Sequence, residues 1–251
     1  MNRTANLVEI FSAIQGEGPY VGERHLFLRL GGCDLRCRFC DSVHTWRPVA
    51  QGRVEVTPGA RDFVTVTNPV TAEQLLTWLQ RQYDGGKHTA LSLTGGEPLL
   101  HADFLVEFLP VLTRCIPLPI YLETGGHRPQ ALAQVLPWVQ IVAMDYKLPS
   151  VSGERHHTAH QQFLALAVQA GVDVFVKIVV DRQTQASELI DALTMIQAID
   201  PQVLVILQPV TPRPGSLAPT PDQVLAWQRL AQDYVHRVRV IPQTHPLLGQ
   251  L

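Results

Sequence analysis

Apolar residues in this chain fall into short runs, and the segments between them carry apolar positions at helical spacing. Residues 25–31 (HLFLRLG) place large apolar side chains almost consecutively and read as a buried strand. Over 71–83 the apolar spacing becomes helical, and Thr71 followed by Gln74 is a capping-box signature, which starts a helix there. The alternation continues along the chain. Strands are predicted at 90–93, 119–122, 141–144, 172–180 and 203–207, with a short last one at 237–241. Helices are predicted at 101–115, 129–139, 159–170, 186–199 and 221–236. Pro137 strains the end of the 129–139 helix, and Gly171 stops the 159–170 helix.

Strands alternating with helices imply parallel pairing, and about six such units are present. That is too few for a closed eightfold barrel. The predicted fold is therefore α/β, a partial, open (β/α)6 barrel of parallel strands within a single domain over 1–251, with 46–69 as an irregular insertion or lid. In such folds reactive residues sit at the carboxyl ends of the strands. The unusual stretches fall there: the cysteine loop after the first strand, Thr94-Gly95-Gly96-Glu97-Pro98, Glu123-Thr124-Gly125-Gly126, Asp145-Tyr146-Lys147, and Gln208-Pro209.

Composition narrows the class without naming it. With 46% hydrophobic and 17% charged residues the chain is globular. A formal net charge of −2 offers no footprint for nucleic acid or a membrane surface. No apolar run approaches the ~20 residues of a membrane span, and no leader pattern follows Arg3. A soluble, cytoplasmic protein is expected.

Of four cysteines, three lie in the loop Cys33-Asp-Leu-Arg-Cys37-Arg-Phe-Cys40. Spacing this tight suits a metal centre or catalysis better than disulfide staples. Structural zinc sites and ordinary iron–sulfur clusters take four protein ligands, so three thiolates leave one position open for a reactant. A fourth ligand from Cys115, His25 or His44 is the competing reading; Cys115 is otherwise expected to be buried and inert. The pair His156-His157 has no ligand spacing and reads as surface loop.

The C-x3-C-x2-C loop after the first strand, with Phe39 inside it and Thr94-Gly95-Gly96-Glu97-Pro98 one strand later, resembles the radical S-adenosylmethionine (SAM) superfamily. The resemblance implies a 4Fe-4S cluster on Cys33, Cys37 and Cys40, with SAM on the open iron and cleaved to give a hydrogen-abstracting radical. Gly96 and Glu97 would meet the SAM amino group, the glycine by close backbone approach and Glu97 as acceptor for an ammonium.

Further stretches are similar to the 7-carboxy-7-deazaguanine synthase family: Phe11-Ser12-Ala13-Ile14-Gln15-Gly16-Glu17-Gly18, Arg29, Cys40-Asp41-Ser42 with Thr45-Trp46, and Gln243-Thr244-His245 followed by Leu248-Gly249. This resemblance implies conversion of 6-carboxy-5,6,7,8-tetrahydropterin to 7-carboxy-7-deazaguanine, with SAM as a true cofactor and Mg2+ assisting. Ile14, Gln15, Gly16, Thr94 and the last residue, Leu251, would contact the pterin. Arg29 would pair with its carboxylate, and Glu17 joins Arg29 in the catalytic set. Ser42 stands where the family has a threonine on Mg2+, and its hydroxyl is likewise a hard ligand. Asp145, Tyr146, Lys147 and Gln208 would line the SAM site. Lys147 faces the cofactor or pairs with Asp145 or Glu123, and Glu123 contacts a ligand or is a satisfied strand-end carboxylate. A flavodoxin- or ferredoxin-type reductant and a homodimer are also implied.

Two alternatives stand beside this reading. A glycyl-radical activating enzyme shares the cysteine spacing but acts on a protein. A zinc-binding module would use the cysteine loop structurally and leaves the glycine-rich strand ends unexplained.

Overall fold

A computed structural model describes residues 3–84, 86–212 and 217–250. Its strands are β1 (Thr4–Ala5), β2 (Leu7–Ile14), β3 (Arg24–Leu30), β4 (Gln51–Glu55), β5 (Phe63–Thr67), β6 (Val70–Thr71), β7 (Ala90–Gly95), β8 (Ile120–Thr124), β9 (Ile141–Tyr146), β10 (Asp173–Val180), β11 (Leu204–Pro209) and β12 (Val238–Val240). The helices are α1 (Ala72–Gln82), α2 (Ala102–Cys115), α3 (Pro129–Val135), α4 (Pro149–Ser152), α5 (His157–Gln169), α6 (Ala186–Ile199) and α7 (Pro221–Gln232). None is long and apolar enough to cross a membrane.

One ten-stranded sheet runs in the order β12-β11-β10-β9-β8-β7-β3-β2-β4-β5. From β3 to β12 every neighbouring pair is parallel, as the alternation of strands and helices requires. The partial, open barrel is thus the observed architecture. At its far side β2 pairs antiparallel with β3, β4 lies parallel to β2, and β5 closes a hairpin on β4.

Several expected boundaries move. The 46–69 segment is not irregular: it carries the β4–β5 hairpin. Its outer strand has mostly exposed positions, so its hydrophobic pattern is weak. Strand β2, for which no strand is predicted, is buried along almost its whole length, and its second half, Phe11 to Ile14, opens the stretch with the ligand motif. The 129–139 helix gives way to a 3-10 turn at Leu136–Trp138, where Pro137 lacks an amide proton. Helix α1 has the predicted reciprocal cap: Thr71 N–H donates to Gln74 Oε1 (2.9 Å) and Gln74 N–H to Thr71 Oγ1 (3.3 Å). Helix α7 begins with the same device on Thr220 and Gln223.

The main core lies where the helices cover the sheet, and Val142, Met144 and Tyr146 of β9 belong to it. The opposite, inner face holds a smaller cluster of Tyr121, Ile141, Ala143, Phe175, Leu204 and Ile206. Strand side chains alternate faces with a period of two. Two residues beyond four of these apolar positions stand Glu123, Asp145, Lys177 and Gln208. An apolar plug therefore becomes a polar cavity toward the carboxyl ends of the strands, and the strand period alone places the ring of polar groups.

Candidate active site

The cysteine loop leaves β3 and is pinned by main-chain bonds: Gly32 N–H donates to Thr45 O (2.8 Å), Cys33 N–H to Trp46 O (3.1 Å) and Glu97 N–H to Gly32 O (2.8 Å). The two loops touch so closely that a Cβ on Gly96 would lie 2.2 Å from Gly32 O and 2.9 Å from Cys33 Cβ. Only glycine permits that approach. Cys33, Cys37 and Cys40 all open on one cavity of about 480 Å3. Burial pushes the Cys37 thiol up to about 11 and raises Cys33 as well. Among the described residues no three His, Cys, Asp or Glu side chains gather around a point that suits a single ion. Two of the candidate fourth ligands lie elsewhere: His25 is buried and bonded to Ser92 Oγ (2.8 Å), and Cys115 is exposed at the end of α2 rather than buried; His44 lines the adjoining lobe.

The Glu97 carboxylate is already committed. It accepts from Leu99 N–H (3.0 Å), Gly125 N–H (2.9 Å) and the Thr124 hydroxyl (2.8 Å), at 1% exposure. Glu97 thus braces the end of β8 against the end of β7 while still lining the cysteine cavity. Lys147, just past β9, ion-pairs with Asp145 (2.9 Å) and lies 5.1 Å from the centre of the Phe39 ring. Tyr146, grouped with them in the sequence reading, points the other way. Its hydroxyl bonds His157 Nδ1 (2.7 Å) behind the sheet, because it sits one residue out of the inner-facing register. His157 is accordingly a partnered helix residue, not free loop.

A second cavity of about 410 Å3 adjoins the first, lined by Ile14, Gln15, Gly16, Arg29 and Thr94. Glu17, Asp41, Ser42, Gly96, Asp145 and Lys177 border both. The two are lobes of one cleft. In the wall between them Lys177 pairs with Glu17 and with Asp145 (3.3 Å). Burial alone would raise Glu17, but the Lys177 ammonium and hydrogen bonds from Lys177 and Gln243 hold its carboxyl below the usual range. Lys177 is held above the usual lysine range, since Glu17 and Asp145 outweigh its burial. Neither Lys177 nor Gln243 was marked from sequence as a site residue; the inner-face register identifies the first.

In the second lobe Gln15 is fixed by donating to Glu123 Oε1 (2.8 Å) and accepting from Glu17 N–H (3.0 Å). Arg29 Nε pairs with Glu9 Oε1 at 2.8 Å, and its terminal nitrogens have no hydrogen-bond partner among the described residues. The carboxy-terminal segment folds over this lobe. Thr244 N–H donates to Gly16 O (2.8 Å), and a Cβ on Gly16 would lie 2.6 Å from His245 N. Leu251 lies outside the described residues. At the rim Ser42 donates to Asp41 Oδ1 (2.8 Å), and Asp41 accepts from Gln243 (2.8 Å).

The residues fit a cluster with a second ligand beside it. Three thiols share one cavity, close glycine packing exposes main chain there, and Asp145 Oδ1 in the dividing wall and Gln208 Oε1 in the first lobe are buried without donors among the described residues.

The sequence model of the Radical SAM superfamily matches residues 28–196, and the chain belongs to that superfamily. Within it, the chain is a member of the 7-carboxy-7-deazaguanine synthase family. It is 42% identical over 250 residues to the 7-carboxy-7-deazaguanine synthase of Geobacter sulfurreducens, covering 98% of both chains. The corresponding protein of Archaeoglobus fulgidus is 32% identical over 249 residues, again covering 98% of both. The crystal structure of QueE from Escherichia coli shares the fold, with a TM-score of 0.58 at 21% identity over 94% of this chain and 93% of that one.

Proposed function

We propose that this chain converts 6-carboxy-5,6,7,8-tetrahydropterin to 7-carboxy-7-deazaguanine with release of ammonia, a radical ring contraction that leads to 7-deazapurines such as queuosine. The observation that carries the reading is the two-lobed cleft, found in a chain this similar to synthases of that name. One lobe has the thiols for a cluster; the other has a cation and fixed amide groups suited to a small anionic heterocycle.

Cys33, Cys37 and Cys40 would hold a 4Fe-4S cluster, and the Gly95–Gly96 main chain with Asp145, Lys147 and Gln208 would hold SAM. Bound together, these groups supply one-electron chemistry able to remove a hydrogen atom from carbon. The chain's own residues bring the reacting carbon to the wall between the lobes. Arg29 presents its free guanidinium nitrogens to the carboxylate. Gln15, fixed by Glu123, and Thr94 orient the ring, and the 243–250 segment excludes water. Lys177 holds Glu17 and Asp145, and Lys147 on Asp145 completes a fixed, charge-compensated partition, so the cleft is organised before a ligand enters. Ser42 and Asp41 offer adjacent hard oxygens at the rim, which supports a Mg2+ ion shared with the substrate. Leu251 is assigned to the pterin. A flavodoxin- or ferredoxin-type donor, a homodimer and a cytoplasmic location complete the proposal.

The test is anaerobic turnover of reconstituted protein with 6-carboxytetrahydropterin, SAM, Mg2+ and a reductant, followed by mass spectrometry. Formation of 7-carboxy-7-deazaguanine with equimolar ammonia is expected. SAM cleavage with the pterin untouched would refute the substrate, and activation of a protein partner instead would favour the glycyl-radical activating class.

A further inference from the structure

One polar row crosses four neighbouring strands at the mouth of the second lobe. Glu9 of β2 stands in register with Arg29 of β3 on one side and with Arg53 of β4 on the other, and Arg29 is in register with Thr94 of β7. All four line the lobe. The Glu9 carboxylate is divided between the two arginines: Oε1 accepts from Arg29 Nε (2.8 Å), and Oε2 accepts from Arg53 Nε (2.8 Å) and Nη2 (2.5 Å). Each guanidinium also lies near an aromatic ring, Arg29 at 5.7 Å from Phe11 and Arg53 at 4.2 Å from Phe63.

The charges do not balance. Two guanidiniums around one carboxylate leave an excess of one positive charge, placed where the side chains meet the cavity. Arg29 Nη1 and Nη2 and Arg53 Nη1 make no hydrogen bond among the described residues. Glu9 occupies the inner edge of each fork and so orients both arginines while leaving their outer nitrogens available. A lone structural ion pair would need one arginine; a second, brought in by a separate hairpin at the same register, makes an anion subsite. A planar, two-oxygen group suits such paired forks.

We propose that Arg53 is a second substrate-recognising residue, acting with Arg29 on the carboxylate of the substrate, and that the β4–β5 hairpin thereby selects carboxylated over uncarboxylated pterins. This rests on the pterin reading above. Glu9 is a positioning residue for both arginines.

The experiment uses cluster-loaded protein with SAM and compares Arg53→Met and Arg53→Lys with wild type. Affinity is measured for 6-carboxytetrahydropterin and for tetrahydropterin without the carboxylate, alongside KM and kcat. Arg53→Met is expected to weaken binding of the carboxylated pterin and raise KM by about tenfold or more, the lower range for one charge-assisted hydrogen bond. Its kcat falls by less than its KM rises. Arg53→Lys, keeping charge without the fork, falls between the two. Affinity for the uncarboxylated pterin stays level, which a merely structural ion pair at Arg53 would not produce. Unchanged KM and affinity in Arg53→Met, or equal losses for both pterins, overturn the proposal. If wild type turns over the carboxylated pterin while either overturning result holds, the proposal fails and the pterin reading survives. If wild type neither binds nor converts it, both fail. Should Arg53→Met not fold, wild-type behaviour of Arg53→Lys toward the carboxylated pterin overturns the proposal.

Discussion

Thr124, at the end of β8, donates its hydroxyl to both oxygens of Glu97, at 2.8 and 3.0 Å, and so ties the TGGEP loop to the neighbouring strand. Gly125 N–H and Leu99 N–H use the same carboxylate. Replacing Glu97 with alanine strands these buried donors at about 1–3 kcal/mol each. A loss of at least about 3 kcal/mol is expected from Glu97→Ala, and a smaller one from Thr124→Val. Urea denaturation measures both; a Glu97→Ala loss below about 1 kcal/mol would show that the carboxylate is dispensable to the loop.

Burial lowers His160 to about 3, and its Nε2 donates to Gly125 O at 3.0 Å. The unfolded chain takes up this proton as pH falls below about 6.5, whereas the folded chain stays neutral until near 3. Stability should therefore fall with pH across that window, by roughly 3 kcal/mol between pH 6.5 and 4 from this residue alone. His25, lowered to about 4 by burial, adds in the same direction. Denaturation curves for wild type and His160→Asn across pH 7 to 4 decide the point, using about the reference histidine value as the upper bound; parallel losses would rule His160 out as the source.

Gly16 faces His245 with no room for a methyl group. Gly16→Ala should lift the 243–250 segment from the second lobe, making it more sensitive to limited proteolysis and raising KM for the pterin. An intact segment in the digest together with an unaltered KM would contradict the closing role assigned to it.

Asp34, inside the cysteine loop, is held from the loop between β8 and α3 by His127 (3.0 Å) and Arg128 (2.6 Å). Asp34→Ala should loosen the loop, and iron should leave the reconstituted protein for a chelator about fivefold faster, as expected for a tether worth about 1 kcal/mol. Absorbance under anaerobic chelation follows this directly. Equal rates in the variant and wild type would mean that the main-chain bonds of Gly32 and Cys33 suffice.

The parallel half of the fold was legible because its strands are buried on both faces and its helices carry cap and stop residues. The antiparallel margin was less so. In β2 the buried Glu9 interrupts the apolar run, and its meaning depends on Arg29 and Arg53, which are distant in sequence. In β5 exposure on the outer face removes the hydrophobic contrast. The cysteine loop and the glycine-rich ends were readable as motifs. The partners of Glu97 and the direction of Tyr146 were not, since a motif gives position but not side-chain direction. Applied to β9, strand alternation sends Asp145 inward and Tyr146 outward; applied to β10, it marks Lys177.

The hairpin of β4 and β5 is joined to the rest of the sheet at only two register positions, Glu9 with Arg53 and Ile10 with Val54. Val54 nevertheless lies in the main core and Glu55 accepts from Ser12 N–H (2.9 Å), so β4 is anchored while β5 lies at the outer edge of the sheet. An exchange that keeps Val54 and Glu55 leaves those anchors, and the parallel strands beside them, in place. Grafting hairpins with other residues at position 53 offers a modular way to redirect the same chemistry toward substrates of different charge.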